Sequence, residues 1–472
     1  MGNTISIQKN RWSLIGHFKN QKMNNIKTYF IIWVLMLFAF YSPEGLSQNG
    51  VLKAGIAKVD ITPTENLYMG GYDESCRTGP SDGVYGKIYI RALVFADNIS
   101  LVVFIEADIV LLPNENYGTI RKLISAETGI SFENIMLGCV HNHAAPSPDE
   151  RNKNSNWSKQ LNGKFISVVK NAIADLEPVK IGGGIEKSNI AMNRRKIMED
   201  TTSYLTFDEN NSSQSYGKYK TDKPIKIREM EGVCRLGNNP MGPIDDEVGI
   251  LRIDKISGEP KAFFVNYACH GTSLGCRNSK ISPEWNGHML EYIEREIPGV
   301  TGIFVSGAGG DIDPRFVGAL DGYIDNLKKT EELGYEIGKE VVKVFSDIKT
   351  EQPINTQIKL IHKDITCPRK YASVIENFRN TTLDIPTTAI RIDRYTWIAF
   401  PVELFNEIGK NVKIISHSRF PFIVGYCNGS LGYLPTQQSH SEGGYEPWST
   451  VFDPVAEKIF VKGIEKLMLR LY

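Results

Sequence analysis

Two imidazoles stand two residues apart in Val140-His141-Asn142-His143-Ala144-Ala145-Pro146, directly after the apolar run Ile135-Met136-Leu137-Gly138-Cys139-Val140. Side chains alternate along a strand, so a strand ending in His-x-His carries both rings to one side of its carboxyl end. In open α/β sheets that end is where ligands bind, and neutral imidazole is the commonest protein ligand for a transition metal. Four further strand-like runs end in residues with chemistry. Residues 263–269 run into His270, and 303–305 run into Ser306-Gly307-Ala308-Gly309-Gly310-Asp311-Ile312-Asp313-Pro314. Residues 397–402 run into Glu403, and 422–427 into Asn428-Gly429 and then Leu431-Gly432-Tyr433. Strands sharing a sheet and a direction would gather two or three His and one Glu at one edge, as a mononuclear metal site. Imidazole and carboxylate ligands with a free position are the pattern of catalytic zinc. Such a metal polarises a carbonyl and lowers the pKa of bound water toward ~7.

Each piece alone also has a plainer meaning. His270 reads equally as a satisfied core histidine, and Glu403 as a first-turn carboxylate stabilised by a helix dipole. Residues 306–313 form a tight turn or a phosphate cradle, although Lys is missing and the spacing is not that of a P-loop. Tyr433 and Tyr445 fit as packing aromatics. The joint occurrence at successive strand ends is what favours a site.

The elements that must position these groups follow from periodicity. Residues 88–96 and 100–105 read as strands joined by the Asp97-Asn98 turn, and Asp108 closes the second. A helix is expected over residues 114–128, with Tyr117, Ile120, Leu123 and Ile124 on one face and Gly129 as its stop. The strand leading to His141 follows, so this strand-helix-strand unit implies a parallel pair. Further helices are expected near 157–176, 323–345, 404–414 and 454–469. Another opens at Ser282-Pro283-Glu284, with a cap, a Pro and a first-turn carboxylate. Residues 196–243 are polar and read as a surface insertion or a lid. With no internal repeat or convincing linker, the expectation is one large catalytic domain over 48–472. Its fold is α/β, a mixed sheet core flanked by helices with the metal site at the strand carboxyl ends.

The 472 residues carry 54 Lys plus Arg against 54 Asp plus Glu, which gives no electrostatic footprint for nucleic acid. Lys19, Lys22 and Lys27 precede the apolar stretch 29–40, which is short of the roughly 20 residues that span a bilayer. Residues 1–47 therefore read as a secretory signal peptide with a basic flank, and the protein as periplasmic or secreted. An uncleaved membrane anchor is the alternative. Membrane contact is otherwise at most peripheral, and no obligate protein partner is inferred. The seven cysteines are too scattered for a disulfide framework, although one or two disulfides suit an exported protein.

Taken together, several motifs resemble the neutral (non-lysosomal) ceramidase family. They are Ala54-Gly55-Ile56-Ala57-Lys58-Val59-Asp60-Ile61-Thr62-Pro63, Val140-His141-Asn142-His143, and Gly242-Pro243-Ile244-Asp245-Asp246-Glu247-Val248-Gly249. Asn266-Tyr267-Ala268-Cys269-His270, Gly310-Asp311-Ile312-Asp313-Pro314, Pro401-Val402-Glu403-Leu404-Phe405 and Leu431-Gly432-Tyr433-Leu434-Pro435 continue them in family order. The resemblance implies a zinc-dependent amidase that cleaves ceramide to sphingosine and a fatty acid. It places one Zn2+ per chain on His141, His270, Glu403 and Tyr433, and sets His143, Arg194 and Tyr445 around the scissile amide. Metal-activated water would attack the amide carbonyl, with Asp311 and Asp313 touching substrate or orienting ligands. The chain departs from the family at Asp313, where a Ser is usual. The family's immunoglobulin-like C-terminal domain is also expected to be absent. Two alternatives follow: the same metal chemistry on a non-ceramide amide or ester, or a binding homologue without turnover.

Overall fold

Alternation along the strands decides how the layers stack in the computed structural model, which describes residues 50–72, 77–197, 234–318, 323–370 and 381–472. The expected signal peptide lies outside the described residues. Twelve strands carry the architecture: β1 (Lys53–Asp60), β2 (Tyr89–Ala96), β3 (Leu101–Ala107), β4 (Ile135–Cys139), β5 (Glu177–Lys187), β6 (Glu247–Lys255), β7 (Pro260–Tyr267), β8 (Thr301–Ser306), β9 (Ile358–Pro368), β10 (Thr382–Ile392), β11 (Tyr395–Ala399) and β12 (Phe420–Val424). Among the described residues, the first eight form one mixed sheet in the order β8-β7-β6-β5-β1-β2-β3-β4, and the last four a second sheet in chain order. Three neighbouring pairs are parallel: β3 with β4, β7 with β8, and β11 with β12.

The helices are α1 (Asn114–Thr128), α2 (Asn156–Ala174), α3 (Glu284–Glu296), α4 (Tyr323–Asp347), α5 (Asn406–Ile415), α6 (Gln437–Glu442), α7 (Tyr445–Ser449) and α8 (Ala456–Leu471). On β2, Ile90, Ala92 and Val94 face a core shared with Tyr117, Ile120 and Ile124 of α1 and Phe165 and Val168 of α2. The alternate residues Leu93 and Phe95 face the second sheet. There Phe104 and Phe264 meet Trp397 and Phe422, with the Phe104 and Trp397 rings 5.4 Å apart and Phe264 and Phe422 5.1 Å. The α3 and α4 helices cover β6 to β8 through Trp285, Met289, Ile337 and Val341. The far face of the second sheet is covered by α5 and α8 through Ile408, Phe460 and Ile464. The result is a four-layer stack of helices, sheet, sheet and helices. Strands buried on both faces read as continuous apolar runs, and each fully buried large side chain contributes about 1.5–3 kcal/mol.

The β3–α1–β4 unit is the predicted parallel crossover, and Gly129 ends α1 in the left-handed region at φ 75°. Other expectations shift. The site strands belong to two facing sheets rather than one. The strand before the histidines stops at Cys139, and His141 takes φ 58°. The two rings therefore meet through a left-handed turn, not through strand alternation. Leu404 belongs to the short strand Glu403–Leu404, which pairs in parallel with Tyr433–Leu434, so α5 begins only at Asn406. Ser282 accepts the Glu284 amide but does not cap α3 in the ordinary way, because Glu284 itself takes φ 58°. Strand Ala191–Ile197 pairs with Cys234–Asn239 at the base of the polar excursion, and residues 198–233 lie outside the described residues. Cys276 is disulfide-bonded, whereas Cys139, Cys234, Cys269, Cys367 and Cys427 are free and buried.

Candidate metal centre and active site

Five strand ends from the two sheets converge on one buried polar cluster. The junction is stitched by backbone hydrogen bonds from Gly307 to the Tyr267 carbonyl, Gly425 to Ser306, Cys427 to Phe400, and His143 to Gly271. His141 enters after β4, His270 after β7, Glu403 after β11 and Tyr426 after β12. His141 is held at Nδ1 by the Val110 carbonyl at 3.2 Å, and His270 at Nδ1 by the carbonyls of Gly309 (2.6 Å) and Ile312 (3.1 Å). A carbonyl only accepts, so Nδ1 of each ring carries a proton, and in the neutral ring Nε2 then presents a lone pair. Both Nε2 atoms face the same carboxylate oxygen: Glu403 Oε2 is 3.4 Å from His141 Nε2 and 3.3 Å from His270 Nε2.

This arrangement sets acceptors against one another. Burial depresses the His141 pKa to about 4, although Glu403 opposes the shift, so the ring is neutral at neutral pH. Burial by itself would raise the Glu403 carboxyl, but positive charge beside it, on His141 and His270 when they are protonated and on Arg194, pulls it below its ordinary value. His270 Nε2 and Glu403 Oε2 are both buried without a hydrogen-bond partner. Two lone pairs and an anionic oxygen at these separations call for a cation between them. Ligand atoms about 2.1 Å from a tetrahedral zinc stand roughly 3.4 Å apart, which matches the spacing found here. The donor set therefore fits a metal of the zinc type.

His143 completes the cluster. The candidate ligand atoms of His141, His143 and His270 lie within 4.8 Å of one another, and all three residues are buried. Neither ring nitrogen of His143 has a partner. Burial, with His141 and His270 nearby, pushes its pKa well below the ordinary value. Its ring packs edge-on against Tyr72 at 4.8 Å and lies directly over Gly71.

Arg194 and Arg195 occupy successive positions on the strand Ala191–Ile197 and point to different surroundings. The Arg194 guanidinium donates to Glu446 Oε1 (2.8 Å), Asp313 Oδ1 (3.2 Å), the Gly310 carbonyl (2.8 Å) and the Tyr433 hydroxyl (3.2 Å). Arg195 instead binds Glu446 Oε2, Glu442 and the carbonyls of Ser439 and Gly443. Glu446, fully buried, thus holds both arginines, and Arg194 is the one at the site. Tyr433 lies opposite Glu403 in register and packs against the half-buried Tyr445, with ring centroids 5.7 Å apart. Burial pushes the Tyr445 hydroxyl up to about 12, against a hydrogen bond from Tyr433.

The two aspartates separate. Asp313 accepts from Arg194 and from Thr272 Oγ1 (3.0 Å) and is partly exposed at the site. Asp311 turns away, accepting from the Asn406 amide (2.8 Å) and Asn193 Nδ2 (3.1 Å), and burial raises its carboxyl to about 6. It ties the start of α5, next to Glu403, to the strand that carries Arg194. The sequence reading did not assign Tyr426, Thr272 or Glu446. Tyr426 follows β12 directly, so its place at a strand end was the available signal; Thr272 and Glu446 come together with the site only through the fold.

A family model described as neutral/alkaline non-lysosomal ceramidase, N-terminal, matches residues 52–362, about two thirds of the chain. That stretch contains His141, His143, Arg194, His270, Asp311 and Asp313. Among solved structures, the chain resembles a neutral ceramidase from Pseudomonas aeruginosa at 18% identity and a TM-score of 0.66, covering 89% of this chain and 75% of that one. A ceramidase complexed with C2 is similar at 17% identity, with the same TM-score and coverage. At these identities the likeness is one of fold. No curated protein matches.

Proposed function

This chain belongs to the neutral/alkaline non-lysosomal ceramidase family, and from that premise we propose that it is a zinc-dependent hydrolase of an N-acyl amide, ceramide in the first instance. The observation that carries the reading is the facing of His141 Nε2 and His270 Nε2 on one oxygen, Glu403 Oε2, at 3.4 and 3.3 Å, with Nδ1 of each ring held by a backbone carbonyl. These three residues, with Tyr433 as the expected fourth, would hold the ion. Bound there, zinc supplies a Lewis acid for a carbonyl and lowers the pKa of water.

The protein's own groups divide the remaining work. His143 is neutral, buried and unpaired, so it has one ring nitrogen to take a proton and one to give. Its role is to deliver a proton to the departing amine. Arg194 has four of its N–H contacts filled by protein, which fixes its plane and leaves one Nη1 hydrogen for substrate. The Tyr445 hydroxyl stays protonated and donates to developing negative charge on the carbonyl oxygen. Asp311 keeps the strands that carry these groups in register.

The basic flank and apolar core of residues 1–47 argue for export, and no described helix is long and apolar enough to cross a membrane. A second reading, hydrolysis of a different acyl amide or ester, is favoured by Asp313, which adds a carboxylate beside Arg194. Hydrolysis of a fluorescent ceramide, measured against a panel of acyl amides and esters, separates the two. Release of fatty acid from ceramide supports the first reading; turnover of other members alone replaces it with the second; no turnover of any member rejects both.

A further inference from the structure

Buried polar atoms without partners cluster at the site. Glu403 Oε2 and His270 Nε2 are explained by a cation between them, and the ring nitrogens of His143 by proton transfer. Among the aromatic side chains stacked on the candidate ligands, the hydroxyl oxygen of Tyr426 is also buried without a partner.

Tyr426 is 2% exposed and lays its ring on His141, with centroids 4.4 Å apart and planes at 26°. It meets the His270 ring in a T-shaped contact at 6.3 Å and 88°. The backbone is held at φ 54°, a conformation that L residues other than glycine adopt at a cost. The flanking amides of Gly425 and Cys427 are tied to Ser306 and Phe400, which pins the backbone that carries the ring. Phenylalanine would give the same stack on His141 without stranding a hydroxyl, and a buried hydroxyl left unpaired is destabilising. The hydroxyl is thus a donor beside the site with no acceptor among the described residues.

We propose that the Tyr426 hydroxyl is a substrate-facing hydrogen-bond donor that takes the carbonyl oxygen of the acyl group. This rests on the reading of the site as an N-acyl amide hydrolase. A phenol O–H is a donor, and the lone pair of an amide nitrogen is delocalised, so the carbonyl oxygen is the acceptor such a substrate offers. The same donor would bind a carboxylate oxygen of the fatty-acid product.

Tyr426→Phe removes the hydroxyl and keeps the stack. On zinc-loaded enzyme with N-octanoyl sphingosine, kcat should fall about 100-fold with zinc content unchanged. Affinity for laurate, measured by calorimetry, should fall about tenfold. Tyr426→Leu, which also loses the stack, should repeat both losses and weaken zinc binding in addition. Wild-type values of kcat and laurate affinity in Tyr426→Phe would overturn the proposal, as would loss of zinc from that variant. A wild type that binds laurate without hydrolysing any amide would reject the hydrolase reading, while the laurate comparison still decides the role of Tyr426. A wild type that does neither would overturn both.

Discussion

His270 Nε2 stands 3.3 Å from Glu403 Oε2, and neither atom has a hydrogen-bond partner. Nδ1 of the same ring is committed to the carbonyls of Gly309 and Ile312. The loop after β8 thus fixes the tautomer of a ring delivered by β7, and that tautomer points a lone pair at an anion. A protein that folds this way without a cation leaves an unfavourable contact at its centre.

One consequence concerns pH in the metal-free protein. The His141 pKa falls from 6.5 in the unfolded chain to about 4 in the fold, so the unfolded chain binds the extra proton first. Stability is fully present above 6.5 and is lost as pH falls toward 4, by about 3 kcal/mol from this residue. Asp108 and Asp311 oppose it, because burial raises each to about 6 and their contribution is lost as pH rises through that value. Urea unfolding of metal-free wild type and His141→Gln at pH 7 and pH 4.5 isolates the His141 part. The wild type should lose more stability on acidification than the variant; equal losses would contradict the assignment.

Gly71 should be indispensable for activity. Its φ is 92°, and a Cβ there would meet His143 Nδ1 at 2.3 Å. Gly71→Ala is expected to displace the imidazole and lower kcat by about 100-fold, the scale of losing a general acid, while zinc remains bound. Unchanged kcat with the variant folded would remove His143 from the mechanism.

The adjacent arginines should behave differently. Arg194→Ala, and also Arg194→Lys, which cannot reproduce the planar fork, should lower kcat by about 100-fold with zinc retained. Arg195→Ala should cost about 3 kcal/mol of stability by leaving Glu446 with a single partner, with a smaller loss of kcat. Thermal unfolding alongside kinetics tells these apart. An equal loss of kcat in folded Arg195→Ala would contradict the assignment.

Asp313 is partly exposed and joins Arg194 to Thr272. Asp313→Ser keeps a hydroxyl near Thr272 but removes one anion from Arg194. The expected result is a loss of about 1 kcal/mol in stability, discounted for its partial exposure, and a changed ranking across the amide and ester panel. A variant with the wild-type ranking would show that Asp313 does not select substrate.

Much of this arrangement was legible in the sequence because it rests on local pattern. The α1 helix with its Gly129 stop, the parallel pair around it and the strands leading to His270 and Glu403 all announce themselves by periodicity. What the sequence could not show was that β11 and β12 form a second sheet facing the first, since alternation says which faces are buried but not against what. The left-handed turn at His141 was equally hidden, because nothing in Val140-His141-Asn142 distinguishes it from an extended strand end. Glu446 carried no signal either: its role depends on two arginines roughly 250 positions away, brought together only by the fold.

The most direct test is the metal content of the purified protein and its variants. The account predicts about one zinc per wild-type chain surviving gel filtration. That zinc should be absent from His141→Ala, His270→Ala and Glu403→Ala, and retained in an inactive His143→Ala. A wild type without bound metal would contradict it. Loss of zinc from His143→Ala to the same extent as from His141→Ala would show instead that the ion is held by the three histidines.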